Sequence, residues 1–127
     1  MKIRRKVTCE SKYAAMVVGS FAPDGANAPT ALLGAGFSVV WTSTGLFTVT
    51  FQEKYFSLMS ATATLQLATA DDKFIQVGTY TAPTSTTAAT LVLSVWDVSG
   101  AALTDVAANA NNRVNFSVVF SDTSVTR

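Results

Sequence analysis

Few side chains in this 127-residue chain could do acid–base, nucleophilic or metal chemistry. There is no histidine, and Cys9 is the only cysteine. Histidine is the commonest general base and metal ligand, and it activates serine and cysteine nucleophiles, so its absence removes all these sites together. A zinc site built from Cys and His cannot be assembled within one chain, and a single cysteine cannot form an intrachain disulfide.

Carboxylates are the remaining candidates for chemistry. A glycosidase needs two carboxylates on opposite sides of one bond, but Asp71 and Asp72 are adjacent and Glu53 stands beside Lys54. These positions favour a solvated turn and a surface ion pair. Calcium held by Asp24, or by Asp71 with Asp72, and loop carbonyls is the minor alternative. The sequence therefore predicts no enzyme and no catalytic, cofactor or metal site.

A two-residue period dominates the elements that would position these groups. Apolar and polar side chains alternate over residues 37–42 and again over 47–51, and a short break at 43–45 contains Gly45. Alternation places one apolar and one polar face on a strand. Two such runs around a short glycine-containing break are typical of a β-hairpin.

Five further runs predict strands, at residues 13–21, 57–68, 74–81, 91–96 and 114–120. In the second of these runs one face is apolar and is predicted to be buried: Met59, Ala61, Ala63, Leu65 and Leu67. Residues 22–36 and 82–88 have the composition of loops, and Gly34-Ala35-Gly36 indicates a bend and not a phosphate-binding loop. Residues 101–112 have room for one short helical turn.

These patterns predict an all-β fold, an antiparallel β-sandwich or jelly-roll-like barrel of about seven strands with at most one short helical turn. Residues 1–12 carry five basic side chains against Glu10, a net charge of +4, whereas residues 13–127 carry four basic and seven acidic ones, a net charge of −3. We therefore expect a basic N-terminal arm, residues 1–12, followed by a single β-sandwich domain, residues 13–127.

The arm has the charge to bind an acidic neighbour, which another copy of the body would be. Its basic residues nearest the start are Lys2, Arg4, Arg5 and Lys6. A solvated terminus is the alternative. The body lacks the interleaved basic and aromatic residues of a nucleic-acid binder, so no specific nucleic-acid partner is expected.

The predicted surface is thinly charged. Only 13% of residues are charged and the net charge is +1, whereas a net charge far from zero is what keeps soluble proteins apart. We expect copies or partners to cover much of this surface. No signal-type apolar stretch follows the basic residues, and no run approaches the roughly 18 apolar residues that span a membrane, so synthesis in the cytoplasm without a membrane partner is expected.

An asparagine-rich segment precedes the last predicted strand. Asn109, Asn111 and Asn112 suit a tight turn, because Asn tolerates left-handed backbone, and Arg113 and Asn115 would share one side of the strand. Two interpretations remain open. The segment is a structured turn and strand, or Asn111, Asn112, Arg113 and Asn115 form a subunit contact in which Arg113 binds a neighbour's carboxylate or carbonyls.

Three segments carry a resemblance to known proteins: residues 34–39 (GAGFSV), the hairpin at 44–51 (TGLFTVTF) and residues 109–116 (NANNRVNF). They resemble small virion proteins of tailed bacteriophages, among them capsid decoration (cement) proteins and trimeric β-domains of fibres and spikes. The resemblance covers residues 34–121. It implies a sandwich or jelly roll, assembled as a homotrimer on the capsid surface of a virion after synthesis in the cytoplasm of the host bacterium.

The function that this resemblance implies is that of a decoration protein, which stabilises the shell by bridging capsomers. Its partners would be the major capsid protein and copies of itself, and the basic arm would bind the shell or a neighbour. One alternative is a receptor- or glycan-binding head domain of a fibre or spike, with Trp96 and Tyr80 as sugar-binding aromatics. The other is a head–tail adaptor or baseplate component.

Overall fold

Two antiparallel sheets pack face to face as a sandwich. The computed structural model describes residues 14–55 and 57–121, and these contain nine strands and no helix. The strands are β1 (Ala14–Asp24), β2 (Asn27–Gly34), β3 (Phe37–Ser43), β4 (Leu46–Phe51), β5 (Ser57–Gln66), β6 (Lys73–Thr81), β7 (Thr90–Asp97), β8 (Ala102–Leu103) and β9 (Arg113–Ser121). The four-stranded sheet has the order β2-β1-β9-β5; the five-stranded sheet has the order β3-β4-β7-β6, and β8 pairs with β7. The predicted all-β sandwich is confirmed.

Alternation along the central strands builds the core. In β9 every second side chain, from Val114 to Phe120, is buried, and β4 and β7 bury theirs in the same way. The buried apolar side chains of the core are Val17, Phe21, Phe37, Val39, Phe47, Val49, Phe51, Ala89, Leu91, Leu93, Val95, Val106, Val114, Phe116, Val118 and Phe120. The predicted hairpin is confirmed as β3 and β4, with Val39 opposite Val49.

Phenylalanine rings join the two sheets. Phe21 of β1 lies 5.1 Å from Phe47 of β4, measured between ring centroids. Phe37 of β3 and Phe116 of β9 meet edge to face at 4.9 Å. Phe51 and Phe120 repeat that geometry at 4.9 Å. Each pair takes one ring from each sheet, and such pairs contribute about 0.5–1.5 kcal/mol beyond the apolar area that they bury.

Two local expectations were wrong, those for residues 22–36 and for Met59. The predicted loop at 22–36 contains β2, which forms a hairpin with β1. β2 is an edge strand whose only buried residue is Pro29, so it shows no alternation. Residues 101–112, which had room for at most one short helical turn, contain β8 and no helix. In β5 a bulge between Leu58 and Ser60 turns Leu58 toward the core and leaves Met59 61% exposed, because a one-residue shift exchanges the faces of a strand.

The close approach of the sheets depends on a residue without a side chain. Gly19 of β1 lies opposite Phe116 of β9 and Gly34 of β2. A Cβ atom at position 19 would lie 2.4 Å from Cε1 of Phe37 and 2.6 Å from Cζ of Phe116. The edge-to-face pair of Phe37 and Phe116 therefore occupies space that only glycine leaves free.

We predict that Gly19→Ala lowers the free energy of unfolding by about 1–3 kcal/mol, the usual cost of overpacking a core. Urea denaturation measures this change. Gly100→Ala is the matched control, because the nearest atom to a Cβ there is 3.8 Å away, and its effect should stay within about 0.5 kcal/mol. Equal unfolding midpoints for the two variants would contradict the proposed close packing.

Candidate interaction surface

Charged side chains are confined to the ends of the sandwich. Of the nine in the described residues, every one lies in a loop or at the first or last position of a strand: Asp24, Glu53, Lys54, Asp71, Asp72, Lys73, Asp97, Asp105 and Arg113. In the described part of the chain, no charged side chain lies between the terminal positions of any strand. Both outer faces of the sandwich are therefore uncharged.

The two ends of the sandwich differ in charge. At one end, the turn after β1 contacts the segment before β9: Gly25 N donates a hydrogen bond to the carbonyl of Val106 at 2.9 Å. At the same end, Val98 N donates a hydrogen bond to the backbone carbonyl of Asp72 at 3.1 Å. This end, the acidic end, holds five Asp against Lys73 and Arg113, a net charge of −3. The other end, the neutral end, holds Glu53 and Lys54 among the described residues, and their charges cancel. β1 begins at the neutral end, so the sequence of the basic arm precedes the strand there.

Hydrogen bonds lower the pKa of two carboxylates at the acidic end, Asp71 and Asp97. Lys73 donates to Asp71 at 2.5 Å, and this bond, with others from Asp72, lowers the pKa of Asp71 to about 2. The same bond raises the pKa of Lys73. Hydrogen bonds donated by Ser99, and by the backbone N–H of Gly100, lower the pKa of Asp97. Asp71 and Asp97 are therefore negatively charged at neutral pH.

Asp105 has a structural role in the acidic end. Its Oδ1 accepts from Trp41 Nε1 at 2.9 Å and from Gly45 N at 2.8 Å. Both donors belong to the β3–β4 hairpin, so this carboxylate fastens that hairpin to the segment between β8 and β9. The ion pair expected of Glu53 and Lys54 is not formed: Lys54 Nζ donates to the carbonyl of Ser85 at 2.9 Å.

The outer face of the four-stranded sheet combines hydroxyl groups with exposed apolar side chains. Met16, Val18 and Leu33 are 45%, 56% and 60% exposed. Beside them a shallow groove of about 410 Å³ crosses the sheet. Its lining includes Ser20, Leu33, Thr62, Thr64, Asn115 and Ser117. This face is uncharged and suits a contact with another protein surface better than it suits an ionic ligand.

The predicted subunit-contact residues, Asn111, Asn112, Arg113 and Asn115, divide into two pairs. Arg113 Nε donates to Ser20 Oγ at 2.8 Å and its Nη2 to the carbonyl of Ala31 at 2.7 Å. Asn112 Oδ1 accepts from Ala68 N at 2.7 Å. These two side chains thus have partners within the chain, as the interpretation of a structured turn expects. Asn111 is exposed, and Asn115 lies in the groove.

The outer face of the five-stranded sheet presents two aromatic side chains. Phe74 of β6 is 45% exposed and lies opposite Trp96 of β7. Trp96 Nε1 donates to Ser94 Oγ at 3.3 Å. Tyr80, the other aromatic expected at a sugar site, turns inward, with its ring 6.0 Å from that of Phe120. Burial raises the pKa of Tyr80. Sequence reasoning missed Phe74 because its run was interpreted only as a strand.

No family model, curated protein or solved structure matches the chain. Within residues 14–55 and 57–121 there is no helix with the length and apolar character needed to cross a membrane. In the same ranges no three Cys, Asp or Glu side chains cluster as metal ligands. The basic arm and Cys9 lie outside the described residues.

We predict that Arg113→Met lowers the free energy of unfolding by about 1–3 kcal/mol, since two hydrogen bonds of about 0.5–1.5 kcal/mol each are lost. The backbone amides of β2 should also exchange faster, because Arg113 holds the carbonyl of Ala31. Lys54→Met is the control. It removes one solvent-exposed hydrogen bond, from Lys54 Nζ to the carbonyl of Ser85, and should change the free energy of unfolding little. A result in which Arg113→Met matches the control in both readouts would show that this contact stabilises nothing.

Proposed function

We propose that the chain is a structural protein of a tailed-phage virion, a decoration protein that binds the capsid surface and bridges capsomers. The observation that carries the proposal is the charge-free character of both outer faces in the described part of the chain. On one of them, the outer face of the four-stranded sheet, Met16, Val18 and Leu33 are exposed. Interfaces differ from free surface by depletion of charge at their centre. A protein that functions while covered by neighbours can have such faces, whereas a free monomer with a net charge of +1 is poorly protected from association.

The separation of charge supports a role for the arm. Residues 1–12 carry a net charge of +4 and come before β1 in the sequence. β1 begins at the neutral end of the body and finishes at the acidic end. An 11-residue strand is roughly 36 Å long. In this proposal Lys2, Arg4, Arg5 and Lys6 bind the major capsid protein or the acidic end of a neighbouring copy. Three copies associate through the outer face of the four-stranded sheet, with no nucleic-acid or membrane partner.

We predict that replacing Lys2, Arg4, Arg5 and Lys6 together by Gln weakens capsid binding at least about tenfold, equivalent to about 1.4 kcal/mol. The binding of the unaltered chain should weaken with salt, because contacts between exposed charges are screened. Co-sedimentation with undecorated capsids of the phage that encodes the chain measures both effects. Lys54→Gln removes a cation from the body and should bind as the unaltered chain does. Equal binding by the fourfold variant would refute the role of the arm.

A second candidate is glycan binding, as in the receptor-binding domain of a fibre or spike. It is favoured by one feature, the outward-facing Phe74 and Trp96 on neighbouring strands. Aromatic faces on a surface are suited to the apolar face of a sugar ring, while the nearby Gln76 offers hydrogen-bonding groups.

If the second candidate is right, Trp96→Ala and Phe74→Ala should each reduce binding on a glycan array at least about tenfold. Tyr80→Phe should leave the array signal unchanged, because that ring faces the interior. An unaltered chain that binds no glycan above background would eliminate this candidate and leave the decoration role unaffected.

A further inference from the structure

The two sheets leave the core partly uncovered along one side, where β5 and β6 lie. Inward-facing Val118 of β9 and Leu93 of β7 are fully buried. Ala63 of β5 and Ile75 and Val77 of β6 pack against the same core but are only half-buried. Apolar surface that belongs to the core is thus exposed to solvent along this side, which we call the open side.

β5 forms an edge of the four-stranded sheet on the open side. Within the described residues its backbone pairs with β9 and with no other strand. β6 approaches β5 near the connection at residues 67–72, but no backbone pairing joins these two strands. The outward N–H and C=O groups of an edge strand are a template for another strand.

The other edges have features that discourage pairing. β2 contains Pro29 and an irregular backbone at Ala31, whose φ is 50°. β6 starts with Lys73 and has a register shift after Val77. The pairing of β3 with β4 has a register shift between Trp41 and Ser43. Trp41 also donates a hydrogen bond to Asp105, in the segment between β8 and β9. Proline, charge and irregular register are the devices by which natural edge strands avoid association.

β5 lacks all of these devices over residues 60–66. This stretch contains no proline and no charged residue, and its pairing with β9 is regular from Ser60 to Gln66. The only bulge of β5 precedes it, between Leu58 and Ser60. Seven residues with unshifted backbone geometry therefore form an unprotected edge.

We propose that residues 60–66 pair antiparallel with the same residues of a second copy, about a two-fold axis at Ala63. The two four-stranded sheets then become one sheet of eight strands. In a two-fold contact, if residue i meets residue j, then j also meets i. Centring the axis on Ala63 is the only register that pairs the whole regular stretch with itself.

The chemistry of the stretch matches its own copy in this register. On the outer face Thr62 meets Thr64 of the copy, and Ser60 meets Gln66, so hydroxyl and amide groups are opposite one another. Such cross-strand pairs stabilise antiparallel sheets by about 0.2–1 kcal/mol each. The pairing continues a row of hydroxyls already present, because Thr62 Oγ1 and Ser117 Oγ lie 2.8 Å apart.

The pairing also buries apolar side chains on the inner face of residues 60–66. Ala61 meets Leu65 of the copy and Ala63 meets itself, so the half-buried apolar residues of two open sides become neighbours. This contact is two-fold and is separate from the three-fold association proposed above. It also does not depend on binding to a capsid.

The register is tested by disulfide formation in the full chain with Cys9→Ser. Opposite residues in an antiparallel pair have Cα atoms about 4.5–5.5 Å apart, within the range that a disulfide spans. Ala63→Cys should therefore form a covalent dimer under mild oxidation. Ser60→Cys is the matched control. In the proposed register, position 60 of one copy lies six residues, or about 20 Å, from position 60 of the other, so this variant should remain uncrosslinked.

Thr64→Lys, made in the unaltered chain, is the second test, and analytical ultracentrifugation measures it. An outward lysine at this position should halve the mass of the largest species, as loss of a two-fold contact does. Thr64 also lines the groove of the proposed three-fold face, so a threefold decrease would report loss of that association instead and would contradict the two-fold pairing. Ser38→Lys, on the β3 edge, should leave the mass unchanged. A folded Ala63→Cys chain that stays uncrosslinked, or equal crosslinking of both cysteine variants, would overturn the proposal. So would an unchanged mass for Thr64→Lys, and this result decides the matter if Ala63→Cys does not fold.

Discussion

The packing of phenylalanine rings between the sheets is the constraint on which the rest of this structure depends. Each inter-sheet pair fixes the distance and the register of one sheet over the other, and Gly19 makes room for the pair of Phe37 and Phe116. Because the interior is filled by these rings and by branched aliphatic side chains, it has no place for a charged or catalytic group. In the described part of the chain, the charged groups therefore lie at the two ends of the sandwich.

The few charged groups serve mostly to fasten loops. Asp105 ties the β3–β4 hairpin to the segment before β9, Arg113 holds the carbonyl of Ala31, and Asp97 accepts from the turn that follows β7. A carboxylate that accepts two or more hydrogen bonds from the fold is held in place and has less capacity for a substrate. Asp105, Asp97 and Arg113 thus use their hydrogen-bonding groups within the fold.

Sequence pattern predicted the elements that bury one face and missed those that bury none. β4 and β9 alternate without interruption, so their position could be predicted; β2 buries only Pro29 and leaves no periodic signal. The bulge in β5 could not be foreseen, because it depends on pairing with β9 and moves Met59 to the outside. Nor could spacing reveal the partners of Arg113, since Ser20 and Ala31 lie 93 and 82 residues away. The basic arm predicted for residues 1–12 lies outside the described residues.

The placement of charge decides which surfaces of this sandwich can be covered at low cost. Removing an ionised side chain from water costs several kcal/mol unless it is paired. A hydroxyl group costs far less, because another hydroxyl or a backbone carbonyl can satisfy it. The strands of both outer faces expose Ser and Thr between their ends, and the carboxylates lie beyond those ends. The outer faces and the β5 edge can therefore be covered by a neighbour, whereas the acidic end requires a cationic one.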